Sequence, residues 1–260
     1  MSNPGSGTIY SAFWLYKAQP EWRRVEHSVR THFCDEFADV VGRAAGSVAL
    51  RGAYSLTGLR SDADLMLWVH GTDFGAIQDL AVALRKTGLG SYLTEAYVYT
   101  GMVPQSRYAP EHRPAFTKGA APREYLSMYP FVKSHEWYQL PFERRRALMA
   151  EHGRMGQKHS AMPEVRIDVA SAHEGSSGGG AAVATAPAEA PTGGVLANTI
   201  HSFGLGDQEF VVAFESDDPA ALVHMVEDLR AAEVRVYTSI DTPLFLGRRK
   251  PLTEALADLG

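Results

Sequence analysis

The feature that most constrains the fold is a repeated order of predicted secondary-structure elements. Alternating or continuous apolar runs predict strands, and apolar residues at helical spacing predict helices. In the first half the strands are predicted at residues 8–17, 51–58, 63–69 and 95–103, and the helices at residues 20–42 and 73–88. In the second half the strands are predicted at residues 124–133, 196–204, 209–215 and 242–246, and the helices at residues 141–152 and 219–231. Each half therefore has the strand-helix-strand-strand-helix-strand order of a ferredoxin-like unit.

The two halves also resemble each other in sequence. The segment FGAIQDLAVALRKTGLGSY precedes the last strand of the first half, and PAALVHMVEDLRAAEVRVY occupies the same place in the second. We therefore predict an α+β fold of two fused units, at residues 1–103 and 123–247, joined by a connecting loop at 104–122. An antiparallel sheet with helices on one face leaves its other face to be covered. We expect the two sheets to close on each other into a barrel-like pocket that could hold a planar cofactor.

Two segments fall outside this repeat. Residues 168–194 contain SSGGGAAVATAPAEAPTGG, in which Gly, Ala, Pro and Ser dominate. Such a composition buries too little surface to offset the entropy of ordering, so we predict a disordered insertion. A linker between separate domains is the alternative, although the repeat needs elements from both sides of it. Residues 248–260 are expected to form a tail.

Composition excludes several classes of function. The 260 residues are 45% hydrophobic and carry a net charge of −5, which gives no reason to expect nucleic-acid binding. No apolar run approaches the roughly 18 residues that span a bilayer, and the N-terminus lacks the pattern of a signal peptide. The single cysteine, Cys34, excludes an internal disulfide. We expect a cytoplasmic protein that does not enter membranes.

The stretch at 129–153, YPFVKSHEWYQLPFERRRALMAEHG, carries the most specific candidate residues. Side chains at i, i+2 and i+4 of a strand point to one side, so Tyr129, Phe131 and Lys133 share a face. Aromatic surfaces stack on a flat ligand, and an ammonium group pairs with a carboxylate. This face suits an aromatic ligand that bears carboxylates. The alternative is a strand edge with a solvated lysine and an ordinary packed tyrosine.

His152 is the candidate metal ligand. Arg145, Leu148 and His152 lie on one face of the predicted helix, which Gly153 is expected to end. Neutral imidazole is the usual proximal ligand of haem iron. Alternatively, the histidine bonds the last carbonyl groups of its own helix.

His112 is a candidate general base. It lies in a predicted loop between Pro110 and Pro114, which make the segment stiff and non-helical. A loop histidine can accept a proton near neutral pH. The alternative is a histidine that is merely solvated.

Taken together, these residues resemble the chlorite dismutase superfamily and, within it, the coproheme decarboxylases of the actinobacterial type. The resemblance is densest in the 129–153 stretch and in the segments HRPAF, GLGDQEF and TPLFLG. It implies two ferredoxin-like units closed around a porphyrin, and a homopentamer. It also implies that His152 is the proximal iron ligand and that Trp137 lies beside the porphyrin, with Phe131 and Arg235 among the residues that bind the cofactor.

The resemblance further implies an activity. Iron coproporphyrin III (coproheme) would be both substrate and redox centre, and hydrogen peroxide would convert two of its propionates to vinyl groups, giving haem b in the last step of the coproporphyrin-dependent pathway. Tyr129 would carry the radical, Lys133 would lie near the reacting propionate, and His112 would be the distal base. Ferrochelatase, which supplies coproheme, is an expected transient partner.

Two other functions stay open at this point. One is a haem carrier or sensor, which would use His152 but not Tyr129. The other is a chlorite dismutase or peroxidase. Chlorite-degrading members of the superfamily place a distal arginine on the strand that begins near Leu196, where the best match here is Ala197. Since no arginine occurs between Val195 and Gly206, we expect little turnover of chlorite.

Overall fold

A computed structural model describes residues 7–103, 113–161 and 194–260. His112, nearly all of the predicted insertion and part of the predicted connecting loop lie outside these residues. No helix in the described ranges is long and apolar enough to cross a membrane.

The described residues form nine strands and six α-helices, where eight strands and four helices were predicted. The first unit consists of β1 Ile9–Ala18, α1 His27–Ala44, β2 Val48–Ser55, β3 Leu65–Gly71, α2 Phe74–Arg85 and β4 Leu93–Val103. The second consists of β5 Tyr125–Lys133, α3 His135–Gln139, α4 Phe142–Gln157, β6 Leu196–His201, β7 Phe210–Ser216, α5 Pro219–Ala231, β8 Thr238–Ile240 and β9 Phe245–Lys250. Helix α6 Leu252–Ala257 follows.

The two units have the same strand order and join into one closed sheet. The order is β4-β1-β3-β2 in the first unit and β6-β7-β5-β9 in the second, which is the ferredoxin-like order in both. Antiparallel pairing of β2 with β9 and of β4 with β6 joins the units. The predicted α+β fold of two fused ferredoxin-like units, closing into a barrel, is confirmed.

The interior of the barrel is filled by side chains rather than by a cavity. Inward-facing aromatic and aliphatic residues from both units pack there, among them Phe13, Trp68, Met128 and Phe245. The expectation that the cofactor pocket lies between the two sheets is therefore wrong. Large side chains at alternate positions of strands from both units leave no room for a planar group inside a barrel of this size.

The outer faces of the two units differ. In the first unit α1, α2 and α6 pack on the sheet around Trp14, Trp22 and Phe37, which leaves a solid core. In the second unit α4 and α5 cover the sheet around a smaller cluster that includes Phe214 and Met225. The space that is filled in the first unit is partly open in the second.

Two helix boundaries differ from the prediction. The helix predicted at 20–42 is a 3₁₀ turn at Pro20–Arg24 followed by α1, because Glu26 caps a new helix by accepting a hydrogen bond from the Val29 N–H. Helix α4 does not end at Gly153 but continues to Gln157, since Gly153 does not adopt the left-handed conformation that ends a helix.

The last strand and the expected tail are also different from the prediction. Only residues 245–246 of the strand predicted at 242–246 are in a strand, the start of β9; β8 precedes them at Thr238–Ile240, and the two strands pair with opposite ends of β5. The expected tail at 248–260 instead completes β9 and forms α6, whose Ala255 and Leu256 are buried in the core of the first unit. Apolar residues in α6 account for this packing, and Lys250 and Asp258 form an ion pair beside it.

A buried ion pair joins the two units inside the barrel. The Arg51 guanidinium donates to Glu215 Oε1 at 2.7 and 2.9 Å, and Asn198 Nδ2 donates to the same oxygen at 3.0 Å. The side chains of Arg51 and Glu215 are only 6% and 0% exposed. Burial raises the pKa of Glu215, and Arg51 opposes that shift. Each charge therefore depends on the other for its compensation.

We predict that Arg51→Met lowers the free energy of unfolding by about 3–5 kcal/mol, because it leaves Glu215 buried and unpaired. Chemical denaturation near neutral pH measures this change. The matched control is Arg85→Met, which removes an arginine that is 75% exposed and pairs with Glu95; its cost should be at most about 1 kcal/mol. Equal costs for the two variants would contradict the structural importance given to the buried pair.

Candidate functional site

A cavity lies between the outer face of the second unit's sheet and the helices α4 and α5. Its volume is about 570 Å³, within the usual range for a site that binds a small molecule or cofactor. Its walls are mostly apolar and include Met149, Val212, Phe214, Met225 and Leu229. Strand β5, helix α3 and the segment around β8 contribute charged and aromatic side chains to the same cavity wall.

Strand β5 supplies one wall of the cavity. Tyr129, Phe131 and Lys133 all line it, which confirms that they share a face, while Leu126 and Met128 point into the barrel. Tyr129 packs edge-on against Phe214, with ring centroids 6.1 Å apart. Burial raises the pKa of the Tyr129 phenol well above its ordinary value, and the Asp241 carboxylate adds to this shift. The phenol is therefore neutral at physiological pH.

Lys133 is held between two aromatic rings. Its Nζ lies 4.4 Å from the ring centroid of Trp137 and 5.0 Å from that of Phe131. Burial lowers the pKa of Lys133 to about 8; the Glu209 carboxylate opposes this shift, and Arg235 adds to it. A solvated lysine at a strand edge does not fit this environment. An incoming carboxylate would restore favourable pairing to a partly desolvated ammonium group.

His152 projects into the cavity from the middle of α4. It lies five residues before the last residue of the helix, so it does not bond the final carbonyl groups, and that alternative is wrong. Its Nδ1 is buried and has no hydrogen-bond partner among the described residues. Burial lowers the pKa of His152, and Lys133 contributes to this shift. The imidazole is therefore neutral near pH 7, which is the form that binds a metal.

The surface around His152 suits a flat ligand. Gly153 and Gly156 line the cavity on the same side of α4, and a Cβ atom at Gly153 would meet nothing within 4 Å. The two glycines thus place no side chain beside the imidazole on this face of α4. In the described part of the chain, no cluster of three or more His, Cys, Asp or Glu side chains could hold a metal ion. An iron bound by His152 would need its other ligands from a group such as a porphyrin.

Two arginines and an aspartate form a polar cluster at one end of the cavity. Asp241 Oδ2 accepts hydrogen bonds from Arg235 at 2.9 Å and is 3.0 Å from Arg230 Nη2. With Lys133, the cluster leaves the cavity wall with a net positive charge. Arg235 was predicted from the family resemblance, but Arg230 and Asp241 were not. The sequence repeat predicted that Arg230 lies on α5 but not which face of the helix it occupies. Asp241 lies near the two arginines because the strands on either side of it, β8 and β9, both pair with β5.

Strand β6 supplies the sheet side of the cavity with small neutral side chains. Ala197 and Thr199 line it there. Among the described residues, the lysine and arginine side chains that line the cavity are Lys133, Arg230 and Arg235, and none of them comes from β6. The position where a distal arginine was sought therefore faces the cavity but carries no positive charge.

The structure brings six of the seven predicted site residues to one cavity. These are Tyr129, Phe131, Lys133, Trp137, His152 and Arg235. The seventh, His112, lies outside the described residues, and its role stays a prediction.

Comparison with known proteins gives the family. The profile of the family described as Chlorite dismutase matches residues 30–173 and 188–250. A coproheme decarboxylase of Mycolicibacterium smegmatis is 31% identical over 234 residues, which cover 86% of this chain and 87% of that protein. A coproheme decarboxylase of Staphylococcus carnosus is 28% identical over 169 residues, which cover 58% of this chain and 66% of that protein. The chain belongs to the chlorite dismutase family.

The solved structures agree in fold. A mutant chlorite dismutase from Candidatus Nitrospira defluvii superposes with a TM-score of 0.76 at 23% identity, covering 99% of this chain and 97% of that one. A further structure, titled putative chlorite dismutase TA0507, has a TM-score of 0.74 at 20% identity. At these identities the likeness concerns the fold alone.

We predict that Lys133 titrates near pH 8, because burial disfavours its charged form. Nitrogen-15 NMR of the lysine side chains in the ligand-free protein measures the midpoint. Glu209→Gln should move the midpoint lower, since it removes a carboxylate that favours the ammonium form. The control Glu95→Gln, in the first unit, should leave it unchanged. A midpoint near the ordinary lysine value of about 10.4 would contradict the desolvated environment.

Proposed function

We propose that this protein is a coproheme decarboxylase. It would bind coproheme in the cavity of the second unit and use hydrogen peroxide to convert two propionates to vinyl groups, giving haem b. The observation that carries the proposal is the convergence of Tyr129, Lys133 and His152 on one cavity. The relatives named as coproheme decarboxylases support the same activity.

Binding would rest on three features of the cavity. His152 is neutral near pH 7 and would hold the iron through its imidazole. Phe131 and Trp137 provide aromatic surface for the macrocycle, while the apolar walls exclude water. Lys133, Arg230 and Arg235 provide positive charge for carboxylates, so a porphyrin with four propionates is favoured over a neutral ligand.

Tyr129 and Lys133 would carry the chemistry. In each round, peroxide supplies the oxidising equivalents and is reduced to water. The Tyr129 phenol gives up an electron and a proton, and the resulting phenoxyl radical takes a hydrogen atom from the β-carbon of a propionate. The substrate then loses a second electron and carbon dioxide, which leaves the vinyl group. Lys133 would pair with the propionate carboxylate and hold its β-carbon near Tyr129, since such a transfer requires close positioning.

His112 would act on the peroxide. We propose that it takes a proton from peroxide, as an uncharged histidine near neutral pH can. The two cavity-facing side chains of β6, Ala197 and Thr199, cannot serve as bases, so a base has to come from another part of the chain.

The alternatives are less well supported. A chlorite dismutase of the kind considered above would use a distal cation, and β6 presents Ala197 and Thr199 instead. A haem carrier needs His152 and an apolar cavity, but it gives no reason for a half-buried tyrosine on the same cavity wall as a desolvated lysine. The wider proposal includes a cytoplasmic location, a homopentamer, transient docking of ferrochelatase, and unit boundaries at 1–103 and 123–247. Family membership and the absence of a spanning helix in the described ranges are consistent with it.

We predict that Tyr129→Phe binds coproheme but does not form vinyl groups, because the ring stays while the hydroxyl is lost. Absorbance follows binding, and mass spectrometry of the extracted porphyrin follows the loss of each carboxyl group. The matched control is Tyr125→Phe, the same change four residues earlier on the same face of β5, outside the cavity. Normal haem b from Tyr129→Phe would remove Tyr129 from the mechanism.

A further inference from the structure

Trp137 is a second oxidisable side chain in the cavity. It lies on α3, lines the cavity together with Tyr129, and is 8% exposed. An indole is a ready electron donor, so an oxidising equivalent produced in this cavity has two possible destinations. Only oxidation of Tyr129 is productive in the reaction proposed above. This inference rests on that proposed function, and it concerns how the two side chains are distinguished.

Of the two oxidisable side chains, Trp137 is the one that the Lys133 ammonium group contacts. It stands 4.4 Å from the centroid of the Trp137 ring, in the geometry of a cation–π contact. Backbone hydrogen bonds hold both Lys133 and Trp137 in place. Ser134 donates its N–H to the Tyr237 carbonyl at 2.8 Å, and the Trp137 N–H bonds the Ser134 carbonyl at 3.1 Å. The Lys133 N–H donates to Glu209 at 2.8 Å, which holds the end of β5.

We propose that Lys133 protects Trp137 from one-electron oxidation and so directs oxidising equivalents to Tyr129. Loss of an electron turns an indole into a radical cation. The attraction between the ammonium group and the ring then becomes a repulsion between two positive charges at short distance in a partly desolvated site. Tyrosine loses its proton together with its electron and ends as a neutral radical, so nearby cations do not oppose its oxidation in this way.

The protection depends on the charge of Lys133. Three groups act on it or share its surroundings: Glu209 favours the charged form, Arg235 disfavours it, and His152 is neutral near pH 7. Because the pKa of Lys133 is lowered to about 8, the ammonium form dominates at pH 7 and is lost as the pH rises above 8. Arginine at this position would stay charged throughout this range.

The test uses ligand-free protein, so that it does not depend on coproheme chemistry. Azide radicals from pulse radiolysis at low dose oxidise tryptophan by one electron and are uncharged. Peptide mass spectrometry then gives the yield of oxidised Trp137. Trp22, which packs against Tyr92 in the first unit, is the internal reference for unfolding. The variants are Lys133→Met, which keeps the length and removes the charge, and Lys133→Arg, which keeps the charge.

At about pH 6.5, where Lys133 is charged, Lys133→Met should raise the yield at Trp137 relative to Trp22 several-fold, and Lys133→Arg should leave it low. Raising the pH to about 9.5 should bring the wild-type yield toward that of Lys133→Met without changing Lys133→Arg. Equal Trp137 yields in the wild type and Lys133→Met would overturn the proposal.

The pH comparison uses the wild-type protein alone, so it tests the proposal even if a variant folds poorly. A wild-type yield that does not change between the two pH values, relative to Trp22, would overturn the proposal without any substitution. Failure here would leave the decarboxylase proposal standing, because that proposal is tested separately by the products of Tyr129→Phe. A decarboxylase with an unprotected Trp137 would show normal vinyl formation and a high yield of oxidised Trp137.

Discussion

The pairing of β5 on both of its edges is the constraint on which the site depends. Strand β5 pairs with β7 along one edge and with β8 and β9 along the other. This double pairing fixes which side chains face the barrel and which face the helices. A register shift of one residue would turn Tyr129 and Lys133 into the filled interior. The register of β5 is therefore what brings Tyr129 and Lys133 to the cavity.

The duplicated unit has been used in two ways. In the first unit the helices pack closely on the sheet around Trp14 and Trp22, and α6 adds to that core. In the second unit the corresponding space holds the cavity, lined by the glycine-bearing face of α4. The buried pair between Arg51 and Glu215 connects the two units inside the barrel. This ion pair links the closely packed first unit to the unit that carries the cavity.

Much of this arrangement could be predicted from sequence where local periodicity governs it. The sequence repeat predicted the fold, because each unit has its own pattern of strands and helices. The alternation of side chains along β5 predicted that Tyr129, Phe131 and Lys133 share a face. Tertiary packing governs the rest. Whether the cavity lies inside or outside the barrel depends on how interior side chains fill it, and the pairing of Asp241 with Arg230 depends on strands distant in sequence. The continuation of α4 past Gly153 depends on a backbone conformation that the residue type leaves open.

The central claim is that the cavity converts its ligand rather than merely holding it. The most direct measurement is mass spectrometry of the porphyrin recovered after hydrogen peroxide is added stepwise to the wild-type complex with coproheme. The account predicts successive loss of two carboxyl groups and accumulation of haem b. Bleaching of the porphyrin without a decarboxylated product would contradict it and would favour a haem carrier.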